Sequence, residues 1–405
     1  MNILILSTYP ASALDSGGVL RLRALRDALD AGGHRTHVLA VVTPGQAESR
    51  STTETILSVA EELFTEQDRL AVGFHDILTG LRCLDDADLL RQAEALVGAF
   101  RPDAIMIEQP FLVALAQRLQ AQSDASLVYS AANREAALKR GLIALVPQYF
   151  RHEEDILGAV CEAERLAASS AQLTIAIEPT LAAPLEGWGA RSIRVFGNGT
   201  AVTPASQDSH PLQAMLSKAP QICFGCFGSG YWPNLEGFAD VMSPSLAFLP
   251  PNVKVLMTGS FHEEVRAHLA FRRGAALNDT RVVGYPYLDG PDFAALVAGC
   301  DALLLPVFVG SGSPLKTADA LASGRPVLMS RLMATGYEDI IAACPDGVRI
   351  VEDAGAFRAA WKEWADLGKA GLATLAGDGA RRAALLSWSR RLDGFSEAVG
   401  ALSDK

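Results

Sequence analysis

Lys316 and Asp319 stand three residues apart, directly after the small-residue run Gly310-Ser311-Gly312-Ser313 and Pro314. The apolar segment ending near Pro306 reads as a buried strand. Pro314 then opens a helix, with Ser313 as its N-cap and Pro314 in its first turn. Glycines let a backbone approach a ligand, and free amides at a helix start favour an anion. Such machinery suits a diphosphate. A lysine in a first helical turn opposes the helix dipole by roughly 0.3–1 kcal/mol, a sign that a bound phosphate reverses. Asp319 shares the face of Lys316, about 4.5 Å further along the axis. That order places a phosphate near Lys316 and a ribose diol near Asp319. The same spacing also describes a solvated Lys–Asp pair beside an ordinary turn, and spacing alone leaves both open. The pattern is neither a Walker motif nor GxGxxG.

Positioning these groups requires a scaffold, and the chain alternates short apolar runs with longer amphipathic ones. Strands are expected at Asn2–Ser7, His37–Val42, Ala104–Glu108, Leu127–Ser130, Leu173–Ile177 and Ile193–Phe196. Between them, helices are expected around Leu22, Leu25 and Leu29, and over Thr53–Glu66, Phe111–Gln122 and Glu154–Ser169. From Asn198 to Gln221 the chain is rich in Pro, Ser, Asn and Gly and reads as a linker. The alternation then restarts, with strands at Ile222–Phe227, Val253–Thr258, Arg281–Val283, Ala302–Leu305, Pro326–Met329 and Val348–Val351. Helices are expected near Leu235–Met242, His262–Arg272, Asp292–Ala298 and Pro314–Ala322. Beyond Ala354 the chain is mostly helical, with Trp361, Trp364 and Trp388 as packing residues. Two such sets imply an α/β fold of two parallel-sheet domains, with ligands at the carboxyl ends of the strands. The expected division is 1–203, 204–385 and a final helix, 386–405, returning to the first domain.

Composition agrees with two cores: 405 residues, 49% of them hydrophobic and 20% charged. The net charge of -11, with neither half basic, argues against a nucleic-acid partner. The amino terminus lacks the basic and apolar regions of a signal peptide, and no run of ~20 apolar residues suggests a membrane span. The six cysteines are scattered through apolar segments, as in a cytoplasmic protein with reduced thiols. Cys223 and Cys226 form a single CxxC with no second pair, which argues against zinc.

The segment Leu304–Val327 resembles the donor-binding stretch of glycosyltransferase family 4, which has the GT-B fold. In particular it is similar to the bacterial subset reading Gly-x-Gly-x-x-x-Lys-x-x-Glu-Ala-x-Ala-x-Gly-x-Pro-Val. Gly310, Gly312, Lys316, Asp319, Ala320, Ala322, Gly324, Pro326 and Val327 fall on that pattern. Gly228-Ser229, followed by Pro233-Asn234, is similar to the segment opening the second domain in that subset. The stretch Val282–Tyr287, which holds Val283, Gly284 and Tyr285, resembles the loop that holds the base. Asn198-Gly199-Thr200 resembles the close of the first domain, and Gly17-Gly18 with Gly33-His34 its opening. Asn133-Arg134-Glu135 sits where the family often has His-Asn-x-Glu. Ser311 stands where the family has the first Glu of a paired acidic motif, and Ala132 where it has the His.

The resemblance implies two Rossmann-like domains facing across a cleft and a nucleotide diphosphate sugar as donor. A UDP-sugar is the first expectation on family frequency, a GDP-sugar the second. It also implies transfer to an acceptor hydroxyl with retention. Lys316, Asn133 and Glu135 are the candidate catalytic residues. Gly17, Gly18, Gly228, Ser229, Val283, Gly284, Tyr285, Gly310, Ser311, Gly312, Ser313, Lys316 and Asp319 are the candidate substrate contacts. Arg21 and Arg23 read as solvated residues of a first turn, and His34 as structural. No cofactor and no metal are expected, since no Asp-x-Asp cluster is placed for Mg²⁺. The acceptor class is a glycan, a lipid-linked sugar or a small molecule, and peripheral membrane contact is left open. Two rivals stand beside this reading. A GT-B sugar-nucleotide epimerase would need acid–base groups on the sugar, which Ala132 and Ser311 do not supply. A degenerate transferase kept as a scaffold is favoured by those departures and opposed by Lys316 with its full glycine loop.

Overall fold

The computed structural model describes residues 1–13, 16–44, 51–65, 74–145, 153–202, 210–288 and 290–404. The chain divides into two compact units: Met1–Gly197 with Leu392–Lys405, and Asn198–Arg391.

The first unit is built on seven strands: β1 (Asn2–Ser7), β2 (Arg35–Val42), β3 (Glu54–Ser58), β4 (Ala104–Ile107), β5 (Ser126–Ala131), β6 (Leu173–Ala176) and β7 (Ile193–Val195). Every pairing is parallel, in the order β3-β2-β1-β4-β5-β6-β7. Ile3 to Leu6 and Ala104 to Ile107 are wholly buried. Unbroken apolar runs are what a parallel sheet covered on both faces requires. The helix Gly17–Ala31 buries Val19, Leu22, Leu25 and Leu29 and stops at Gly32 and Gly33, the latter at φ 82°. The segment Leu392–Lys405 packs into the same unit. Phe395 meets Phe196 edge-on at 5.4 Å, and the His34 ring lies 3.3 Å from the Ser396 carbonyl. His34 is therefore structural.

The helix expected over Thr53–Glu66 does not form. Glu54–Ser58 instead pairs with β2, from Val38 opposite Glu54 to Val42 opposite Ser58, and a short 3₁₀ turn covers Glu61–Leu63. Residue 66 lies outside the described residues. The open edge of β2 captures Thr55-Ile56-Leu57, whose β-branched members suit a strand, and this pairing overrides the local helical spacing.

The second unit has six parallel strands: β8 (Ile222–Gly225), β9 (Val253–Thr258), β10 (Val282–Tyr285), β11 (Ala302–Leu305), β12 (Val327–Ser330) and β13 (Val348–Val351). Their order is β10-β9-β8-β11-β12-β13. One face is packed by Phe224, Phe238, Phe261, Phe357 and Trp361, the other by Cys223, Leu256, Leu303, Leu321 and Tyr337. Trp361 is wholly buried, with Phe248 at 5.5 Å and Phe224 at 5.9 Å in edge-on contact. Trp364 is buried too, whereas Trp388 is half-buried. Two expectations are corrected here. The stretch read as a linker contains the helix Pro211–Lys218, whose Leu216 enters the core, and residues 203–209 lie outside the described residues. The helix expected over His262–Arg272 is two helices, Gly259–Ala267 and Leu269–Arg273. They break at His268, whose ring accepts from the Ala270 amide and caps the second.

In both sheets the order of addition reverses beside the first strand, between β1 and β4 and between β8 and β11. Ligands of doubly wound sheets bind outside the carboxyl ends of the strands at such a reversal.

Candidate functional site

In the second unit the loop after β11 carries the small-residue run. Gly312 adopts φ 81° and Gly310 φ 152°, backbone that a side chain would strain. The helix that follows is Leu315–Ala322, and its N-cap is Pro314, which makes no side-chain cap. Ser313 is thus not the expected cap. Its hydroxyl is buried and finds no hydrogen-bond partner among the described residues. The turn is held from outside: Asn198 Nδ2 donates to the Ser313 carbonyl at 2.6 Å, and the Tyr337 hydroxyl to the Pro314 carbonyl at 3.0 Å. Ser311 is half-buried between the two glycines.

Lys316 and Asp319 each have a partner of their own rather than forming a solvated pair. Lys316 Nζ donates to Asn234 Oδ1 at 2.6 Å, and Asn234 Nδ2 donates to the Ser229 carbonyl at 3.0 Å. A Cβ on Gly228 would lie 3.0 Å from the same Nδ2, so the glycine leaves room for the amide. The contact joins the segment after β8 to the helix after β11, across the strand-order reversal. Burial lowers the Lys316 ammonium to about 8, with the neighbouring Cys226 acting in the opposite sense. Asp319 Oδ1 accepts from the Thr200 hydroxyl at 2.5 Å, and burial raises its carboxyl to about 6 against that hydrogen bond. Gly228, Ser229, Lys316 and the Gly310–Ser313 turn are brought together; Asp319 lies one helical turn further on.

Val283, Gly284 and Tyr285 lie elsewhere, on the edge strand β10, with β9 between it and β8. Val283 and Tyr285 pack against the Leu256 face of the core, while Gly284 lies under the His262 ring, 2.1 Å from where a Cβ would stand.

In the first unit Gly17 is the exposed first residue of its helix, and Gly18 abuts Tyr9, whose hydroxyl would lie 2.5 Å from an added Cβ. Arg21 and Arg23 are not solvated as expected. Arg21 is buried and donates to the Phe196 carbonyl at 3.2 Å. Arg23 donates to the carbonyls of Ala11 at 2.7 Å and Ala13 at 2.6 Å, tying down the loop after β1. The ends of β1 and β4 are joined by the Thr8 amide, which donates to Gln109 Oε1 at 2.7 Å.

Asn133 and Glu135 are brought together after β5: Asn133 Nδ2 donates to Glu135 Oε1 at 3.0 Å. Glu164, buried on the helix Glu153–Ser170, accepts from the backbone amides of Glu135 at 2.5 Å and Ala136 at 3.1 Å. It thereby caps the helix Glu135–Leu145 from a neighbouring element. Burial raises Glu164 to about 7 and also raises Glu135 and Glu108. The Arg21 guanidinium moderates Glu108, and Lys139 moderates Glu135. Lys139 is itself paired with Asp76 at 2.9 Å and stacked over Phe74.

Sequence reasoning did not place Asn234, Thr200, Glu108 or Glu164 in the sites. Asn234 and Thr200 stand within segments that carried the family resemblance, so a signal existed. Glu164 had none, because a carboxylate at mid-helix reads as a solvated face. Among the described residues no group of three or more His, Cys, Asp or Glu side chains is arranged to hold a metal ion. No helix among them is long and apolar enough to cross a membrane.

Residues 221–366 match the family model described as Glycosyl transferases group 1, a stretch that runs from before β8 past Asn234, Lys316 and Asp319. No curated protein matches the chain at the sequence level. Among solved structures, sucrose-phosphate synthase from Thermosynechococcus elongatus is 18% identical at a TM-score of 0.73, over 100% of this chain and 98% of that one. The Anabaena protein HepE, in complex with UDP-glucose, is 17% identical at 0.65 over 100% of both chains. The catalytic domain of starch synthase IV from Arabidopsis thaliana, bound to ADP and acarbose, is 12% identical at 0.65, over 100% and 99%. At these identities the likeness shows the fold, a GT-B architecture of two parallel-sheet α/β units. The matched domain makes the chain an enzyme of the glycosyltransferase class.

Proposed function

We propose that the chain transfers a sugar from a nucleotide diphosphate sugar to an acceptor hydroxyl, with retention and without a metal or cofactor. The observation that carries this is the set of donors at the reversal between β8 and β11: the Gly310–Ser313 turn, the Ser313 hydroxyl, which has no partner among the described residues, and the Lys316 ammonium. Together they match the charge that develops on a departing diphosphate. One such donor is worth about 10²–10³ in rate. Asp319 takes the ribose, while Val283, Gly284 and Tyr285 flank the base. The second unit thus holds the nucleotide sugar, and the first, with Asn133, Glu135, Gly17 and Gly18, serves the acceptor side. Binding of UDP-glucose by HepE favours a UDP-sugar; the ADP of the starch synthase keeps the base a matter for experiment. The acceptor class is a glycan, a lipid-linked sugar or a small molecule, and the setting is cytoplasmic.

A panel of UDP-, GDP- and ADP-sugars, assayed for released nucleoside diphosphate with mass spectrometry of the products, tests the reading. A UDP-sugar turned over in the presence of chelator is the expected result. An epimerised donor with no release would establish the epimerase instead, and nucleotide binding without turnover the scaffold.

A further inference from the structure

We infer that Asn234 is a positioning residue of the transfer reaction, its side-chain amide holding the Lys316 ammonium and presenting it to the diphosphate. The inference rests on the proposed donor chemistry and adds to it a residue that the reaction itself does not touch.

The hydrogen bonds fix how the amide is oriented. A carbonyl can only accept, so the 3.0 Å contact with the Ser229 carbonyl must come from Asn234 Nδ2. That leaves Oδ1 facing Lys316, where the 2.6 Å distance suits a charge-assisted bond. Asn234 is set in place by the first turn of its helix, Trp232–Met242, with Pro233 before it and its amide bonded to the Tyr231 carbonyl at 2.9 Å. Gly228 keeps the space beside the amide open. An ammonium has three protons to donate. One goes to Asn234, and two have no acceptor among the described residues and are available to ligand oxygens.

The choice of a neutral partner is chemically informative. An aspartate here would cancel the charge that Lys316 offers and would repel a diphosphate. An amide holds the ammonium without neutralising it. Among the described residues the titratable group facing Lys316 is Cys226, and burial pushes that thiol up to about 12, so it brings no negative charge at neutral pH. The half-buried ammonium thus has no carboxylate partner among the described residues, which costs stability until an anion arrives.

The test uses the full chain and the variants Asn234→Ala, Asn234→Asp and Lys316→Ala, each first shown by thermal melting to be folded. Labelling of the Lys316 amine with acetic anhydride across a pH series, read by peptide mass spectrometry, gives its titration midpoint without any ligand. The midpoint should fall in Asn234→Ala, which loses the acceptor, and rise in Asn234→Asp, which gains a carboxylate. Both variants should lose about tenfold or more in kcat/KM on the donor and in affinity for UDP, the scale of a hydrogen bond to a charged group. Midpoints that stay put or move the same way in both folded variants overturn the inference, since a merely structural asparagine produces no opposed shifts. Opposed midpoints in a protein that binds neither UDP nor GDP would overturn instead the donor reading, and with it the presenting role.

Discussion

At the end of β4 the first unit keeps Glu108, and beyond β5 Glu135 with Glu164 against it; past the corresponding β11, the second unit keeps Lys316. The two sheets share one strand order around their reversals, yet they bury ionisable groups of opposite sign there, and the manner of burial differs. Glu164 is spent on two backbone amides and Glu135 accepts from Asn133, so those two carboxyls are satisfied within their own unit, whereas Glu108 keeps one buried oxygen without a hydrogen-bond partner among the described residues. Lys316 is held by a neutral amide, and no carboxylate among the described residues answers its charge. A buried group that closes its own hydrogen bonds contributes to folding, while one whose charge is left open is suited to a ligand.

Three substitutions break or sharpen this contrast. Lys316→Ala should reduce donor turnover by about 10²–10³ with little change in melting temperature, measured by nucleotide release beside a thermal scan. A large loss of stability with activity retained would assign the lysine to folding and erase the contrast. Glu164→Gln should leave turnover unchanged and alter instead how stability depends on pH. The folded-state carboxyl is raised to about 7, above the ordinary carboxylate range. Its contribution is therefore complete at low pH and is lost as pH rises from that range through about 7. The share at stake is about 3 kcal/mol. Wild-type melting temperature should fall across this window, and the variant should show a shallower slope. Smallest is the Asp319–Thr200 pair. Asp319→Asn should weaken nucleotide binding by roughly 1.5–3 kcal/mol at most, read by calorimetry with UDP. In the wild type, nucleotide affinity should decline as pH falls through about 6, where Asp319 takes up its proton. Turnover should decline as pH rises through about 8, where Lys316 loses its own. Asp319→Asn should remove the acid limb alone.

Most of the scaffold was legible because buried parallel strands write themselves as unbroken apolar runs: β1, β9 and β11 begin and end where the residues say. The stretch at Thr53 was misread because a five-residue edge strand spans too little chain to show its period, and its identity comes from β2 rather than from itself. Ser313 was read as a cap from its residue type, but Pro314 takes that place and leaves the hydroxyl over. Arg21 and Arg23 looked solvated since arginine usually is, and only the fold shows the carbonyls they serve. Lys316 stood out through its glycine loop, whereas its partner Asn234 lies 82 residues away in sequence, a separation that no local pattern reports.

The second unit is one uninterrupted stretch, Asn198–Arg391, while the first takes its last piece from Leu392–Lys405. On the ribosome, therefore, the lobe whose synthesis starts first is the last to be completed. Its His34 and Phe196 wait for Ser396 and Phe395 until the whole of the other lobe has emerged, so an early stop codon near Leu392 would damage the region translated earliest and leave the sequence of the other lobe intact.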